Sequence, residues 1–246
     1  MILSIQGQPE EAASFSKQAL AVSSDLRNPH NRVFCLNYTV ISRLLRGLER
    51  ATEELLDELL SLAVEHGFPV WLGTANIMRG FVLAARGETA AGLALARKGW
   101  ANWTATGSKY HGTYYLGLLA QTCERAGHID EAMDLIATAM EMADRLGERW
   151  FESELRRVQG EWLVTHRRDE RQRAEACFHR ALAVAREQKA RTWELRAATS
   201  LARLWCDQGK RDEALDLLAA VCGGATAGFK TPELWDARTL LNELGG

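Results

Sequence analysis

The stretch Trp193-Glu194-Leu195-Arg196-Ala197-Ala198-Thr199-Ser200-Leu201-Ala202-Arg203-Leu204-Trp205-Cys206-Asp207-Gln208-Gly209-Lys210-Arg211-Asp212-Glu213-Ala214-Leu215-Asp216-Leu217-Leu218-Ala219-Ala220-Val221-Cys222 reads as two helices and the turn between them. Leu195, Ala198, Ala202 and Trp205 recur at steps of three and four residues, an apolar stripe along a first helix. Gly209 ends it, because glycine closes a helix in the left-handed conformation at little cost. Asp212 and Glu213 then open a second helix, where acids suit the positive end of the helix dipole. Ala214, Leu217, Leu218 and Val221 give that helix its own stripe. The spacing predicts an antiparallel helical hairpin.

Working outward, the hairpin recurs. Small residues fall at Ala12, Thr52, Gly92, Ala132, Ala174 and Ala214, at gaps of 40 residues except for one of 42 between Ala132 and Ala174. A glycine stands five residues before five of them: Gly7, Gly47, Gly87, Gly127 and Gly209. Two helices crossing closely need a small side chain at such a point. A fixed period of this length dictates a stacked array. The fourth unit follows the plan with Leu116, Leu119, Ala120 and Cys123, a turn at Gly127, then Ala132, Ile136, Ala139 and Met140. In the third unit Gly92, Ala96 and Gly99 are unusually small, which predicts local tightness or a bend. The 42-residue step predicts a longer, glycine-free turn around Arg168 to Arg173. Thr231-Pro232-Glu233 is a helix start, with Thr as cap and Pro in the first turn. It opens a capping helix over about 232–244 carrying Leu234, Ala237, Leu240 and Leu241.

Residues 1–246 therefore read as a single all-α domain, a right-handed α-solenoid of antiparallel hairpins with a C-terminal capping helix. At the other end a second helix is expected from Pro9 to about Asp25, with almost no room for a first helix before Gly7. Arrays normally carry polar terminal caps. The truncated hairpin predicts a longer parent chain, or a partner against this face.

Composition narrows the partners. The 246 residues are 47% hydrophobic and 25% charged, a globular balance. A net charge of −2 gives no basic footprint, so no nucleic-acid partner is expected. The basic run from His166 to Arg173 is interrupted by Asp169 and Glu170 and reads as a solvated turn. Five cysteines with no Cys-x-x-Cys pair suit a reducing cytoplasm rather than a disulfide framework. No stretch approaches the roughly 18 apolar residues of a membrane span, and the first residues lack a secretory leader. A soluble cytoplasmic protein is expected, with no membrane association.

The glycine-to-alanine spacing of five, with Leu201, Ala202 and Trp205 upstream and Leu218 downstream, resembles the tetratricopeptide repeat signature. The period here is about 40 rather than 34, and the terminal proline of that motif is absent. A second resemblance spans most of the chain. Gly147-Glu148-Arg149-Trp150, Glu152-Ser153-Glu154-Leu155-Arg156-Arg157, Ala174 to Leu182, Trp193 to Ala202 and Gly228-Phe229-Lys230-Thr231-Pro232-Glu233-Leu234 resemble the C-terminal repeat region of bacterial signalling proteins. In those a nucleotide cyclase or DNA-binding domain precedes a STAND-type ATPase and then the repeats. The resemblance implies a sensor or scaffold arm. The family's catalytic parts do not carry over: this chain has no Gly-x-x-x-x-Gly-Lys-Ser/Thr phosphate loop.

Nothing else announces catalysis. The six histidines show no His-Glu-x-x-His spacing, and no Gly-x-Ser-x-Gly elbow occurs. Glu152, Glu154 and Glu161 fall on one expected helix with Arg157, and carboxylates and arginines at three- and four-residue spacing are exposed ion pairs more often than acid–base groups. The chain is accordingly expected to be non-enzymatic, with no metal and no cofactor. Most of the eight tryptophans, Trp193 and Trp205 among them, should fill gaps between repeats. In such arrays the first helices line a concave side that holds the ligand. Alignment on the repeat places Tyr114 and Gln121, then Glu154, Arg157 and Glu161, then Arg196, Thr199 and Arg203 on neighbouring inner faces, with Asn37 and Thr74 joining them. That groove would take a protein or peptide partner, including other domains of a longer parent chain or a second copy. The alternative occupant is a small polar effector.

Overall fold

A computed structural model describes residues 1–47, 52–223 and 231–245. Among them every regular element is helical: α1 (Ile2–Ile5), α2 (Pro9–Asp25), α3 (Pro29–Leu44), α4 (Glu53–Glu65), α5 (Pro69–Ala85), α6 (Thr89–Ala105), α7 (Gly112–Arg125), α8 (Ile129–Leu146), α9 (Glu152–His166), α10 (Arg171–Glu187), α11 (Arg191–Asp207), α12 (Arg211–Gly223) and α13 (Pro232–Gly245). Residues 10–148 form one compact unit, and residues 2–9 with 149 onward form another. The Gly228–Lys230 part of the resembling stretch lies outside the described residues.

Hairpins pair α3 with α4, α5 with α6, α7 with α8, α9 with α10 and α11 with α12. Within a unit each first helix also packs on the first helix that follows: α3 on α5, α5 on α7, α9 on α11. The small-residue repeat has a plain structural cause. Ala12, Gly92, Ala132, Ala174 and Ala214 are each the fourth residue of a second helix, and Thr52 precedes the first residue of α4. All six are buried.

The turns carry a second regularity that the sequence concealed. Left-handed φ values recur at residues 7, 47, 87, 127 and 209 within hairpins, and at 27, 67, 107, 147 and 189 between them. Two of these positions are not glycine: Arg27 has φ 47° and Lys189 has φ 54°. The missing within-hairpin position falls in the 42-residue step. There a short 3-10 helix, Arg168–Glu170, takes up the extra length before α10.

The third hairpin is the tight one. A Cβ on Gly92 would come within 2.5 Å of the Gly80 carbonyl oxygen, and one on Gly99 within 2.7 Å of the Ile77 nitrogen. A Cβ on Gly80 would run into the Gly92 carbonyl oxygen. The expected tightness is thus backbone-to-backbone contact between α5 and α6, which only glycine permits.

In the second unit, Thr231 caps α13 by accepting a hydrogen bond from the Leu234 amide at 3.3 Å. Leu234, Ala237 and Leu244 are buried, with Leu240 and Leu241 packed against the same cluster. α13 rests on α11 and α12, as α11 rests on α9 and α10. It therefore occupies the place of a first helix. The single turn α1 also packs in this unit, where Thr192 Oγ1 donates to the Ser4 carbonyl at 2.8 Å. No helix of the described residues is long and apolar enough to cross a membrane.

Candidate binding surface

Three helices of the second unit, α9, α11 and α13, join in one network of charges. Glu154, only 6% exposed, accepts two parallel hydrogen bonds from Arg157, each 2.8 Å, and one of 3.2 Å from Arg196. Arg157 reaches on to Glu161 one turn later, and Ser200 donates to the same Glu161 at 2.9 Å. Arg196 continues to Glu233 on α13 at 2.7 Å, and Arg203 pairs with Asp236 at 2.7 Å.

Burial works against a charge on Glu154, but the two guanidiniums outweigh it and hold its pKa at about 2. Burial opposes the charge on both arginines too, but Glu154 and Glu161 raise Arg157, and Glu154 and Glu233 raise Arg196, above the ordinary value. A carboxylate held this low is ionised throughout the physiological range and has no proton to donate. Exposure grows along the network: Glu154 is buried, Arg196 and Glu161 are partly open, and Arg203 stands in solvent.

The sequence-expected groove residues thus divide. Glu154, Arg157, Glu161 and Arg196 come together in the network, and Arg203 borders it. Thr199 lies between Arg196 and Arg203 on the same helix but is buried, and its hydroxyl donates back to the Leu195 carbonyl at 2.9 Å. In the first unit Tyr114 is buried in the core, and Gln121 is half-buried with its amide on the Gly117 carbonyl. Asn37 and Thr74 are buried too. Thr74 donates to Asn37 at 2.9 Å, and Asn37 donates to the Tyr115 hydroxyl at 3.3 Å, a polar tie across α3, α5 and α7.

Sequence reasoning missed an aromatic surface on the first unit. Phe34 lies 4.6 Å from Tyr38 and 6.0 Å from Trp71 between ring centroids, and Tyr110 lies 4.2 Å from His111. The Tyr38 hydroxyl meets His111 Nε2 at 3.0 Å, and His111 Nδ1 lies 3.4 Å from Glu148. Burial and the neighbouring Tyr110 raise the Tyr38 pKa, so its hydroxyl stays neutral. The four-residue step from Phe34 to Tyr38 on one helix face was the available signal.

Burial pushes the Cys123 thiol up to about 12 and raises Cys177, Cys206 and Cys222 as well, which keeps them protonated. Among the described residues no group of three His, Cys, Asp or Glu side chains has metal-holding geometry.

No protein-family model matches the chain, and no curated protein sequence matches it. Solved structures do. One is a signal transduction ATPase with numerous domains, carrying a tetratricopeptide repeat sensor, from Pyrococcus horikoshii. It matches 97% of this chain over 36% of its own length, with a TM-score of 0.63 and 11% identity. BtubC from P. vanneervenii matches 90% of this chain and 95% of its own, with a TM-score of 0.63 and 15% identity. A putative kinesin light chain with nearly identical TPR-like repeats from Podosopora anserina matches 78% and 93%, with a TM-score of 0.54 and 16% identity. Likeness at these identities concerns architecture alone. The chain has the fold of the tetratricopeptide-like helical repeat proteins.

Proposed function

We propose that the chain is a non-catalytic interaction module whose first helices receive a protein or peptide partner, as the arm of a bacterial cytoplasmic signalling protein. The observation that carries this reading is the charged network across α9, α11 and α13. Its buried end, Glu154 with Arg157, fixes side chains that would otherwise lose rotamer freedom on binding. Its open end offers both signs of charge through Glu161, Arg196 and Arg203. Such an arrangement selects a partner by charge pattern and register. Tyr114, Gln121 and Thr199 support the helices rather than touch the partner.

The test is affinity capture from the native cell with the charge-reversed double variant Glu161→Lys/Arg203→Glu. Both side chains reach solvent, so folding should survive. Recovery of the partner should fall roughly tenfold or more, in line with truncated or opposed charge pairs at interfaces. Unchanged recovery would contradict the assignment of this surface.

A second reading, a sensor for a small polar effector, draws support from the Pyrococcus horikoshii ATPase, whose repeats form a sensor. A thermal-shift screen of metabolites tests it. A ligand present at 100 times its dissociation constant should add about 2.7 kcal/mol of stability. A screen with no shift would remove this alternative.

A further inference from the structure

Among the described residues α2 holds the repeat position of a second helix, and only the four-residue α1 precedes it in sequence. Within each unit, a first helix such as α3, α9 or α11 is seated on its own second helix and on the next first helix. The equivalent seat at the start of the array is the groove between α2 and α3, and it is open. Phe15 (60% exposed) and Val22 (56%) on α2, with Leu26 (58%) just past its end, form one wall, and Phe34 (47%) on α3 the other. The groove volume is about 430 Å³. From Phe15 to Leu26 the wall is about 17 Å long, three helical turns.

The chain also carries the matching piece. α13 packs as a first helix on α11 and α12, and no second helix follows it among the described residues. Its 14 residues span about 21 Å, enough to fill the groove. Setting the packed stripe Leu234, Ala237, Leu241 on Leu195, Ala198, Ala202 puts Trp235 at the position of Arg196. Arg196 is one of two residues, with Arg203, whose ion pairs join α11 to the next first helix, and it meets that helix near its start, at Glu233. Trp235 is 74% exposed, and its alignment with Arg196 directs it toward the place of a next first helix. In the hairpins of this chain the start of a first helix lies by the end of its second helix, as the contact of Arg191 with the Val221 carbonyl shows. Trp235, in the first turn of α13, would accordingly fall beside Val22, Leu26 and Phe34.

We propose that the α2/α3 groove is the docking site for α13 of a second copy of this chain. The contact completes one hairpin from two half-hairpins and continues the repeat from copy to copy. It is heterologous, since the two surfaces differ, so each copy keeps one free groove and one free α13.

The test is sedimentation equilibrium on the full chain across a hundredfold concentration range, with Trp235→Ala and Val22→Glu made separately. Both side chains are exposed, and circular dichroism verifies the fold of each variant. The wild-type chain should show a mass rising with concentration, and each variant alone should remain monomeric. Mixed in equal amounts, the two variants should form a complex of two chains and stop there. Trp235→Ala still offers an intact groove and Val22→Glu an intact α13. A wild-type chain that stays monomeric throughout would overturn the proposal, as would a mixture that fails to pair. So would a Trp235→Ala chain that still self-associates, because that would mean symmetric pairing of the groove or another contact.

Discussion

Lys189 and Arg27 hold left-handed backbone angles at positions where the corresponding turns use glycine. A residue with a Cβ costs about 1–2 kcal/mol in that conformation. Lys189→Gly is therefore expected to stabilise the chain by roughly 0.5–1 kcal/mol, after allowance for glycine's greater freedom when unfolded. Urea unfolding checks this, and a destabilised Lys189→Gly would deny the strain. Glu154 yields a prediction with a sign. Its folded pKa of about 2 lies below the ordinary value of about 4.3, so its contribution is fully present above that ordinary value. It is lost as pH falls toward 2, because the unfolded chain takes up the proton first. Between pH 7 and pH 3 the wild-type chain should lose roughly 2 kcal/mol more than Glu154→Gln does. Equal losses, measured by urea unfolding at both pH values, would mean the pair contributes no pH dependence. These residues also mark the edge of what was legible. Helical spacing placed Glu154, Arg157 and Glu161 within reach of one another, but their burial depends on α11 and α13, far along the chain. Tyr114 and Thr199 show the same limit, since a repeat alignment fixes the helix but not which flank of the stripe faces outward.

The α5–α6 seam is the element under the tightest constraint. Gly80→Ala or Gly92→Ala would drive a methyl into a facing backbone carbonyl, which cannot swing away as a side chain can. Each should cost about 3 kcal/mol, the upper end for overpacking. Gly223→Ala, with nothing within 4 Å of its new Cβ, should change stability by less than about 1 kcal/mol. Calorimetry on the three variants separates seam packing from a general cost of losing glycine, and a neutral Gly80→Ala would dissolve the seam. Most of the element scheme was readable: Pro9–Asp25 as α2, the longer turn before α10, the capped α13. The between-hairpin turns were not, because Arg27 and Lys189 break the glycine series. The Asn37–Thr74–Tyr115 tie also escaped, joining residues 78 apart in sequence.

At the scale of the whole molecule, each unit is a set of hairpins, and in the second unit the first helices α9, α11 and α13 carry the charged network. Nothing in a single helix foretold the network, since Arg196 serves Glu154 behind it and Glu233 ahead of it at once. The function proposed for the chain rests on that asymmetry between first and second helices. Its most direct test is photo-crosslinking in the native cell, with a photoreactive residue in place of Arg203 on α11 or, separately, His179 on α10. Both side chains are about half exposed, so access to solvent does not distinguish them. A discrete protein adduct from position 203 and none from position 179 is the predicted result. Adducts of equal yield from both positions, or none from position 203, would contradict the account.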